Sequence, residues 1–97
     1  MEVRRLPTFD VWLRSLRDRA AVVRIAARLS RLEGGHFGDH RSVGDGVSEL
    51  RIDHGPGYRV YFVRRGFTIV VLLCGGDKSG QARDILRAKA LAAELET

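Results

Sequence analysis

The chain contains little cysteine, little lysine and no long apolar run. Its 97 residues include a single cysteine, Cys74, which excludes a disulfide framework and fits a reducing, cytoplasmic compartment. No apolar stretch is long enough for a transmembrane helix, and residues 1–7 lack the apolar core of a signal peptide. We therefore expect one domain over residues 1–97, cytoplasmic and without a membrane partner.

Motifs typical of common enzymes are also missing from the sequence. We find no phosphate-binding glycine loop, no zinc-ligand spacing and no nucleophile elbow. His36 and His40 are four residues apart, but the residues between them do not indicate a helix, and two histidines alone make a poor metal site. We expect neither a metal nor a cofactor. Asp53 and Asp77 follow strand patterns, so we interpret them as turn or cap residues.

The charge is strongly unbalanced toward arginine. The net charge is +5, and of 17 basic residues only Lys78 and Lys89 are lysines. A basic chain favours nucleic acid or an acidic protein as its partner. The arginine excess is compatible both with the codon usage of a GC-rich genome and with selection for phosphate binding.

Hydrophobic periodicity predicts an α+β fold with its helices packed on the sheet. We expect an N-terminal strand and a helical hairpin, then a three-stranded antiparallel meander and a C-terminal helix. A short extra strand is possible near residues 40–43.

The predicted strands are 3–6, 47–53, 58–64 and 67–74, the last ended by Gly75 and Gly76. The predicted helices are 9–16, 19–32 and 80–95, with Thr8, Asp18 and Ser79 as N-caps. The apolar stripe predicted for the second helix is Val22, Ile25, Ala26, Leu29 and Leu32, and that for the third is Ala82, Ile85, Leu86, Ala92, Ala93 and Leu95.

The most informative segment is a predicted hairpin that sets two arginines side by side. If residues 53–57 form its loop, Ile52 pairs with Tyr58 and Arg51 lies opposite Arg59. Like charges across a strand pair are destabilising. Because the alternate residues of both strands are apolar, the arginines fall on the other face, which we expect to be exposed. Two adjacent guanidinium groups fit a phosphate ligand.

Other polar residues are predicted near this pair. Tyr61 shares the face of the two arginines and lies opposite Glu49. If Glu49 pairs with one of the arginines, the cluster has a purely structural role. Lys78 lies at the turn into the last helix, where the helix N-terminus also attracts anions, and His54 lies in the hairpin loop. Such a group can cleave RNA by stabilising a transition state with extra charge on phosphate. Tyr61, Lys78 and His54 stay open as the proton-transfer group.

A row of arginines follows one stripe of the helical hairpin: Arg17, Arg24, Arg28 and Arg31. A solvated face is the usual meaning of such a row. The alternative is a surface that contacts RNA, for which Arg24, Arg28 and Arg31, together with His54, are the candidates.

Four consecutive features resemble the RelE/ParE superfamily of bacterial toxins, and most closely its HigB-like "addiction module killer protein" branch. They are the helical hairpin, the segments 48–52 and 57–62 of the β-hairpin, and the strand 70–74 followed by Gly75-Gly76-Asp77-Lys78. The resemblance covers nearly the whole chain. It implies a type II toxin that forms a hetero-oligomer with a cognate antitoxin, typically a helix-turn-helix protein.

The resemblance also implies an activity. RelE-like members cut mRNA on the ribosome without metal, using basic strand residues that Arg51, Arg59 and Lys78 match here; with Tyr61 these are the predicted catalytic residues. Several such nucleases carry a tyrosine or histidine in the C-terminal segment, and residues 79–84 contain neither. ParE-like members instead inhibit DNA gyrase. Two alternatives therefore stay open: a non-catalytic gyrase-binding toxin, and an antitoxin-binding module without nuclease activity.

Overall fold

A five-stranded sheet with helices on both faces organises the computed structural model, which describes residues 1–95. The strand order is β1-β5-β4-β3-β2; β1 runs parallel to β5 and the other neighbours are antiparallel. This confirms the α+β class. The elements are β1 (Glu2–Arg5), α1 (Pro7–Ser15), α2 (Arg19–Glu33), β2 (His40–Gly44), β3 (Val47–Ile52), β4 (Tyr58–Arg65), β5 (Ile69–Asp77) and α3 (Gln81–Leu95), with a 3-10 turn at Lys78–Gly80 before α3.

The meander has four strands, the three predicted and the short strand suggested near residues 40–43, which is β2. The additional strand, β2, pairs with β3 through a tight turn in which Gly44, Asp45 and Gly46 all have positive φ. Glycine and aspartate adopt this backbone region more readily than other residues. The glycines that made residues 37–46 look like a loop are therefore partly the turn of a second hairpin.

The sheet is covered on both faces. On one face α1 and α2 pack over a core that includes Phe9, Ile25 and Phe62, and on the other α3 packs Ala88 and Ala92 over residues that include Tyr61 and Leu73. The expectation of an exposed face around Arg51 and Arg59 was therefore wrong for most of that face. It remains open only at the β3–β4 hairpin end.

The buried stripes of two helices differ in part from those predicted. In α2 the buried residues are Ala21, Ile25, Leu29 and Leu32, while Ala26 is exposed. In α3, Ala88 and Ala92 face the sheet, whereas Ala82, Leu86, Ala93 and Leu95 are exposed. Alanine is small enough to lie on either face of a helix, so alanine-rich periodicity fixes the orientation poorly.

Two of the three predicted N-caps were wrong. The Asp18 carboxylate accepts from the backbone N–H groups of Ala20 and Ala21 at 2.9 and 3.2 Å, as predicted. Thr8 lies inside α1 and its hydroxyl donates to the carbonyl of Leu73, which ties the helix to β5. Ser79 is also not the cap, because its N–H donates to Asp77 Oδ1 at 2.9 Å. The interpretation of Asp77 as a cap residue is confirmed.

Strand β5 continues through Gly75 and Gly76 to Asp77, whereas the sequence predicted that it ends at Cys74. The indole ring of Trp12 occupies the space that a Cβ of Gly75 would fill, and the carboxylate of Asp84 occupies the corresponding space at Gly76. The glycines are therefore required by side chains that approach the strand from its two faces. Within residues 1–95, no helix has both the length and the apolar character needed to cross a bilayer.

Replacement of Gly75 by alanine tests this packing. We expect Gly75→Ala to lower the free energy of unfolding by about 1–3 kcal/mol, because the added methyl group displaces a packed indole ring. Gly34→Ala is the matched control, since a Cβ there meets nothing closer than 3.4 Å and its φ is −79°. Urea denaturation of the three proteins measures the difference, and equal losses in both variants would contradict the assignment.

Candidate functional site

A cleft of about 270 Å³ opens at the β3–β4 hairpin end of the sheet. The residues that line it are Asp39, Arg51, Ile52, Asp53, Gly57, Arg59 and Lys78. The predicted register is confirmed, with Arg51 opposite Arg59 and Glu49 opposite Tyr61. Three residues proposed from the sequence, Arg51, Arg59 and Lys78, are thus brought together by β3, β4 and the turn after β5.

Gly57 lies beside Arg59 and Lys78 in the hairpin loop. Its φ is 81°, and a Cβ at this position would lie 3.3 Å from Arg59 Nη1 and 3.6 Å from Lys78 Cβ. The loop therefore needs glycine for its backbone conformation, and a side chain there would also crowd the Arg59 guanidinium group.

Arg51 is held by a carboxylate on the rim of the cleft. Its Nη2 and Nε donate to Asp39 Oδ1 at 2.8 and 3.1 Å, and this hydrogen bonding lowers the pKa of Asp39. The charge of Arg59 acts on Asp39 in the same direction. Because both side chains are partly exposed, the ion pair is weak. An incoming anion can therefore replace Asp39 on Arg51.

Arg59 is held from behind by a buried carboxylate. Its Nη1 donates to the Gly57 carbonyl at 2.9 Å, whereas its Nε lies 3.7 Å from Glu49 Oε2, an ion-pair contact beyond hydrogen-bond distance. Among residues 1–95 this Nε has no hydrogen-bond partner. The Glu49 side chain is fully buried and also accepts from Arg41 Nε at 2.7 Å and from Gln81 Nε2 at 3.2 Å. The alternative that Glu49 pairs with an arginine is thus what the structure shows. The pairing leaves Arg59 on the cleft wall.

Tyr61 does not reach the cleft. Its side chain is fully buried beneath α3, and its hydroxyl has no hydrogen-bond partner among residues 1–95. Burial raises the pKa of Tyr61, and the nearby charges of Glu49 and Asp84 act in the same direction. A proton exchange with a ligand in the cleft would need movement of α3.

His54 is directed away from the cleft, toward the start of α2. Its Nε2 lies 3.0 Å from Asp18 Oδ2, and this hydrogen bond is the main reason that the pKa of Asp18 is lowered. The contact joins the hairpin loop to the N-cap of the helix. His54 therefore holds the loop in place.

The predicted arginine row has two parts. Arg24, Arg28 and Arg31 line a groove of about 230 Å³ that shares Ile52 and Asp53 with the cleft, so the groove and the cleft adjoin. Arg17 lies elsewhere, in a groove between α1 and α2.

Arg28 makes structural contacts within this groove. Its Nη1 donates to the carbonyl of Arg51 at 2.5 Å, and its Nη2 donates to the carbonyls of Phe37 and Asp39, each at 3.0 Å. Burial lowers its pKa. Arg28 thus fixes the loop that carries Asp39, whereas Arg24 and Arg31 remain exposed.

Asp84 is a buried charge that the sequence analysis missed. Only 8% of this residue is exposed, and burial raises the pKa of its carboxyl group. An acidic residue in the first turn of a helix is ordinary, so its own position gives no signal. The adjacent Gly75-Gly76 pair in β5 was the available indication that a side chain packs there.

The fold is that of a small basic α+β protein with three cationic side chains lining a cleft at one end of its sheet. The chain belongs to the family described as phage-derived protein Gp49-like (DUF891), whose model matches residues 11–95. A Haemophilus influenzae protein described as uncharacterized is 52% identical over 95 residues, covering 98% of this chain and 96% of the relative. The family is associated with toxin–antitoxin modules and is related to RelE/ParE-like toxins.

Removal of the Glu49 carboxylate tests its anchoring role. We expect Glu49→Ala to lower the free energy of unfolding by about 3 kcal/mol, because Arg59 is only 11% exposed and keeps its charge without its buried partner. Glu33→Ala, which removes an exposed carboxylate at the end of α2, should change it by less than about 0.5 kcal/mol. Chemical denaturation measures both, and a loss at Glu49 no larger than at Glu33 would refute the role.

The raised pKa of Asp84 predicts a pH-dependent effect on stability. The folded chain binds this proton more tightly than the unfolded chain, so the stabilisation present below the unfolded pKa is lost as the pH rises through the folded pKa. Asp84→Asn removes this loss. We expect the free energy of unfolding of Asp84→Asn, measured relative to the parent, to be higher at pH 7 than at pH 3.

Urea denaturation at the two pH values measures this difference. The control is Asp45→Asn, which alters an exposed carboxylate in the β2–β3 turn. A pH-independent difference for Asp84→Asn would show that its carboxyl group titrates alike in the folded and unfolded chains.

Proposed function

We propose that this protein is the toxin of a type II toxin–antitoxin module and that it cleaves mRNA on the ribosome without a metal ion. The observation that carries the proposal is the cleft in which Arg51, Arg59 and Lys78 converge from three elements. Membership of a family associated with toxin–antitoxin modules supports the toxin role. The dependence on ribosomes and the HigB-like branch rest on the sequence resemblance.

The two arginines bind the scissile phosphate in different ways. Arg59 is fixed in advance by Glu49 and the Gly57 carbonyl, so little reorganisation is needed when charge develops on the phosphate oxygens. Arg51 exchanges Asp39 for a phosphate oxygen when RNA enters. Together they stabilise the additional negative charge of the pentacoordinate transition state.

The reaction is an internal transesterification. The ribose 2′-oxygen forms a bond to the adjacent phosphorus while the bond from phosphorus to the 5′-oxygen breaks, which leaves a 2′,3′-cyclic phosphate and a 5′-hydroxyl. The 2′-hydroxyl proton goes to one of the two carboxylates that line the cleft, Asp53 or the Asp39 that RNA displaces from Arg51. Lys78 gives a proton to the departing 5′-oxygen.

The partners follow from the same surfaces. The groove with Arg24 and Arg31 adjoins the cleft and extends the positive surface along which RNA lies. A cognate antitoxin, typically a helix-turn-helix protein in the branch that the sequence resembles, neutralises the toxin in a cytoplasmic hetero-oligomer. The family association supports this partner.

A second candidate is a toxin that binds DNA gyrase without catalysis. It is favoured by the positions of the three residues considered for proton transfer. Tyr61 is buried and His54 is bound to Asp18, so only Lys78 lines the cleft. A third reading, an antitoxin-binding module without nuclease activity, uses the same arginines to hold an acidic segment.

Induction of the chain without its antitoxin separates these functions. We expect mRNA ends to appear within codons, and we expect Arg59→Ala and Lys78→Ala each to reduce their yield by about 100-fold, because a fixed charge or a proton donor is lost at the scissile phosphate. Arg14→Ala is the matched control, since it removes an equal charge on α1, away from the cleft. Sequencing of mRNA 5′-ends and gel analysis of plasmid supercoiling are the measurements.

The outcomes identify the function. DNA breaks or altered supercoiling with intact mRNA would support gyrase binding, and an absence of any growth defect would support the antitoxin-binding module. The purified protein is treated with EDTA and then assayed on programmed ribosomes in the magnesium buffer that ribosomes require. Retained cleavage shows that the protein needs no tightly bound metal. Lys78→Ala covers the case in which Arg59→Ala fails to fold, because Lys78 is exposed.

A further inference from the structure

The buried carboxylate of Glu49 is shared between two arginines that lie on different strands. Arg41 and Glu49 are directly opposite each other in the β2–β3 pair, and Arg41 Nε donates to Glu49 Oε1 at 2.7 Å. On the other side of the carboxylate, Arg59 Nε lies 3.7 Å from Glu49 Oε2. One negative charge therefore stands between two positive ones, so the three side chains together remain positive.

The two arginines share this carboxylate unequally. Arg41 makes the short hydrogen bond, whereas Arg59 Nε is buried and has no hydrogen-bond partner among residues 1–95. Gln81 Nε2 donates to Glu49 Oε2 at 3.2 Å, but the amide carries no charge. Arg59 consequently keeps a spare buried donor beside a carboxylate whose strongest interaction is with Arg41.

Arg41 is the exposed member of this group. Its side chain is 53% exposed, compared with 11% for Arg59. Within the described part of the chain, Arg59 lines the cleft at the β3–β4 hairpin end and Arg41 does not. The contact that links Arg41 to the cleft is therefore the Glu49 carboxylate that it shares with Arg59.

We propose that Arg41 is a positioning residue that keeps the charge of Arg59 available for phosphate. The inference rests on the proposed function, because the anion concerned is the RNA phosphate bound in the cleft. Without Arg41, Glu49 retains Arg59 as its charged partner, and the free Nε of Arg59 needs to move only about 0.8 Å to reach ordinary hydrogen-bond distance. The resulting pair is buried and has no net charge, so Arg59 attracts phosphate less strongly.

The charge of Arg41, rather than its hydrogen bond alone, determines this sharing. Arg41→Lys retains a cation beside Glu49, whereas Arg41→Gln retains a hydrogen-bond donor without the charge. Lysine at this position should therefore preserve most of the behaviour of the parent, and glutamine should not. The alternative role for an exposed arginine is a direct contact with RNA, which does not involve Arg59.

Binding of a short RNA that cannot be cleaved measures the effect. The probe is a fluorescently labelled 2′-O-methyl RNA hexanucleotide, which lacks the 2′-hydroxyl nucleophile, and fluorescence anisotropy reports its affinity for the full-length protein. We expect Arg41→Gln to weaken binding by about fivefold, which corresponds to about 1 kcal/mol. Arg41→Lys should stay within about twofold of the parent, as should the matched control Arg14→Gln, which removes an exposed charge on α1.

A double-mutant cycle with Arg59 separates positioning from direct contact. If Arg41 acts through Arg59, Arg41→Gln has no effect on the affinity of Arg59→Ala. An arginine that contacts RNA directly would have the same effect in both backgrounds. Circular dichroism checks that each variant is folded.

Salt provides a second test that needs only the single variant. A change in the buried pair persists at about 0.3 M salt, whereas a long-range attraction between an exposed arginine and RNA is screened there. This comparison decides the matter if the double variant does not fold.

Several outcomes would overturn the inference. They are no binding of the probe by the parent, no effect of Arg41→Gln, an equal effect in Arg59→Ala, an effect that disappears at high salt, and a loss in Arg41→Lys as large as in Arg41→Gln. The assay contains neither mRNA nor ribosomes, so it separates the two proposals. The expected pattern in a protein that leaves mRNA intact would refute the nuclease alone, and cleavage without that pattern would refute the role of Arg41 alone.

Discussion

The contact on which the cleft depends is the burial of the Glu49 carboxylate between the sheet and α3. A fully buried charge is tolerated only when it is paired and hydrogen-bonded, and Glu49 has Arg41, Arg59 and Gln81 around it. These partners come from three different elements, β2, β4 and α3. The same carboxylate therefore closes one face of the sheet and sets the position of an arginine at its open end.

This arrangement gives different partners to the two guanidinium groups that the hairpin places side by side, those of Arg51 and Arg59. Arg59 lies in ion-pair contact with a fully buried carboxylate, whereas Arg51 is hydrogen-bonded to an exposed carboxylate that a ligand can replace. The repulsion expected for like charges across a strand pair is thereby relieved in the unliganded protein. Arg59 is therefore positioned before any ligand binds, whereas Arg51 is paired with Asp39. The loop that carries Asp39 is in turn fixed by Arg28.

The local parts of this architecture were predictable from the sequence. A five-residue loop and the two-residue period of strands determined that Arg51 faces Arg59, and the register is as predicted. What the sequence did not reveal was the position of α3, because its alanines do not mark one face. For that reason the burial of Tyr61 and Asp84, and the continuation of β5 through Gly75 and Gly76, became visible only in three dimensions. Likewise, nothing in its sequence neighbours indicated that His54 would bind Asp18, 36 residues away.

The pairing of Arg51 with Asp39 has a consequence for the thermodynamics of association with a polyanion. When a cationic side chain neutralises a phosphate of single-stranded RNA, condensed counterions leave the strand, and the affinity falls with salt concentration by about 0.7 logarithmic units per decade for each such contact. In the proposed complex Asp39 loses its partner when Arg51 contacts a phosphate, and its negative charge then remains in the cleft. That charge offsets part of the cationic field, so we expect a weaker salt dependence than three unopposed positive groups would give.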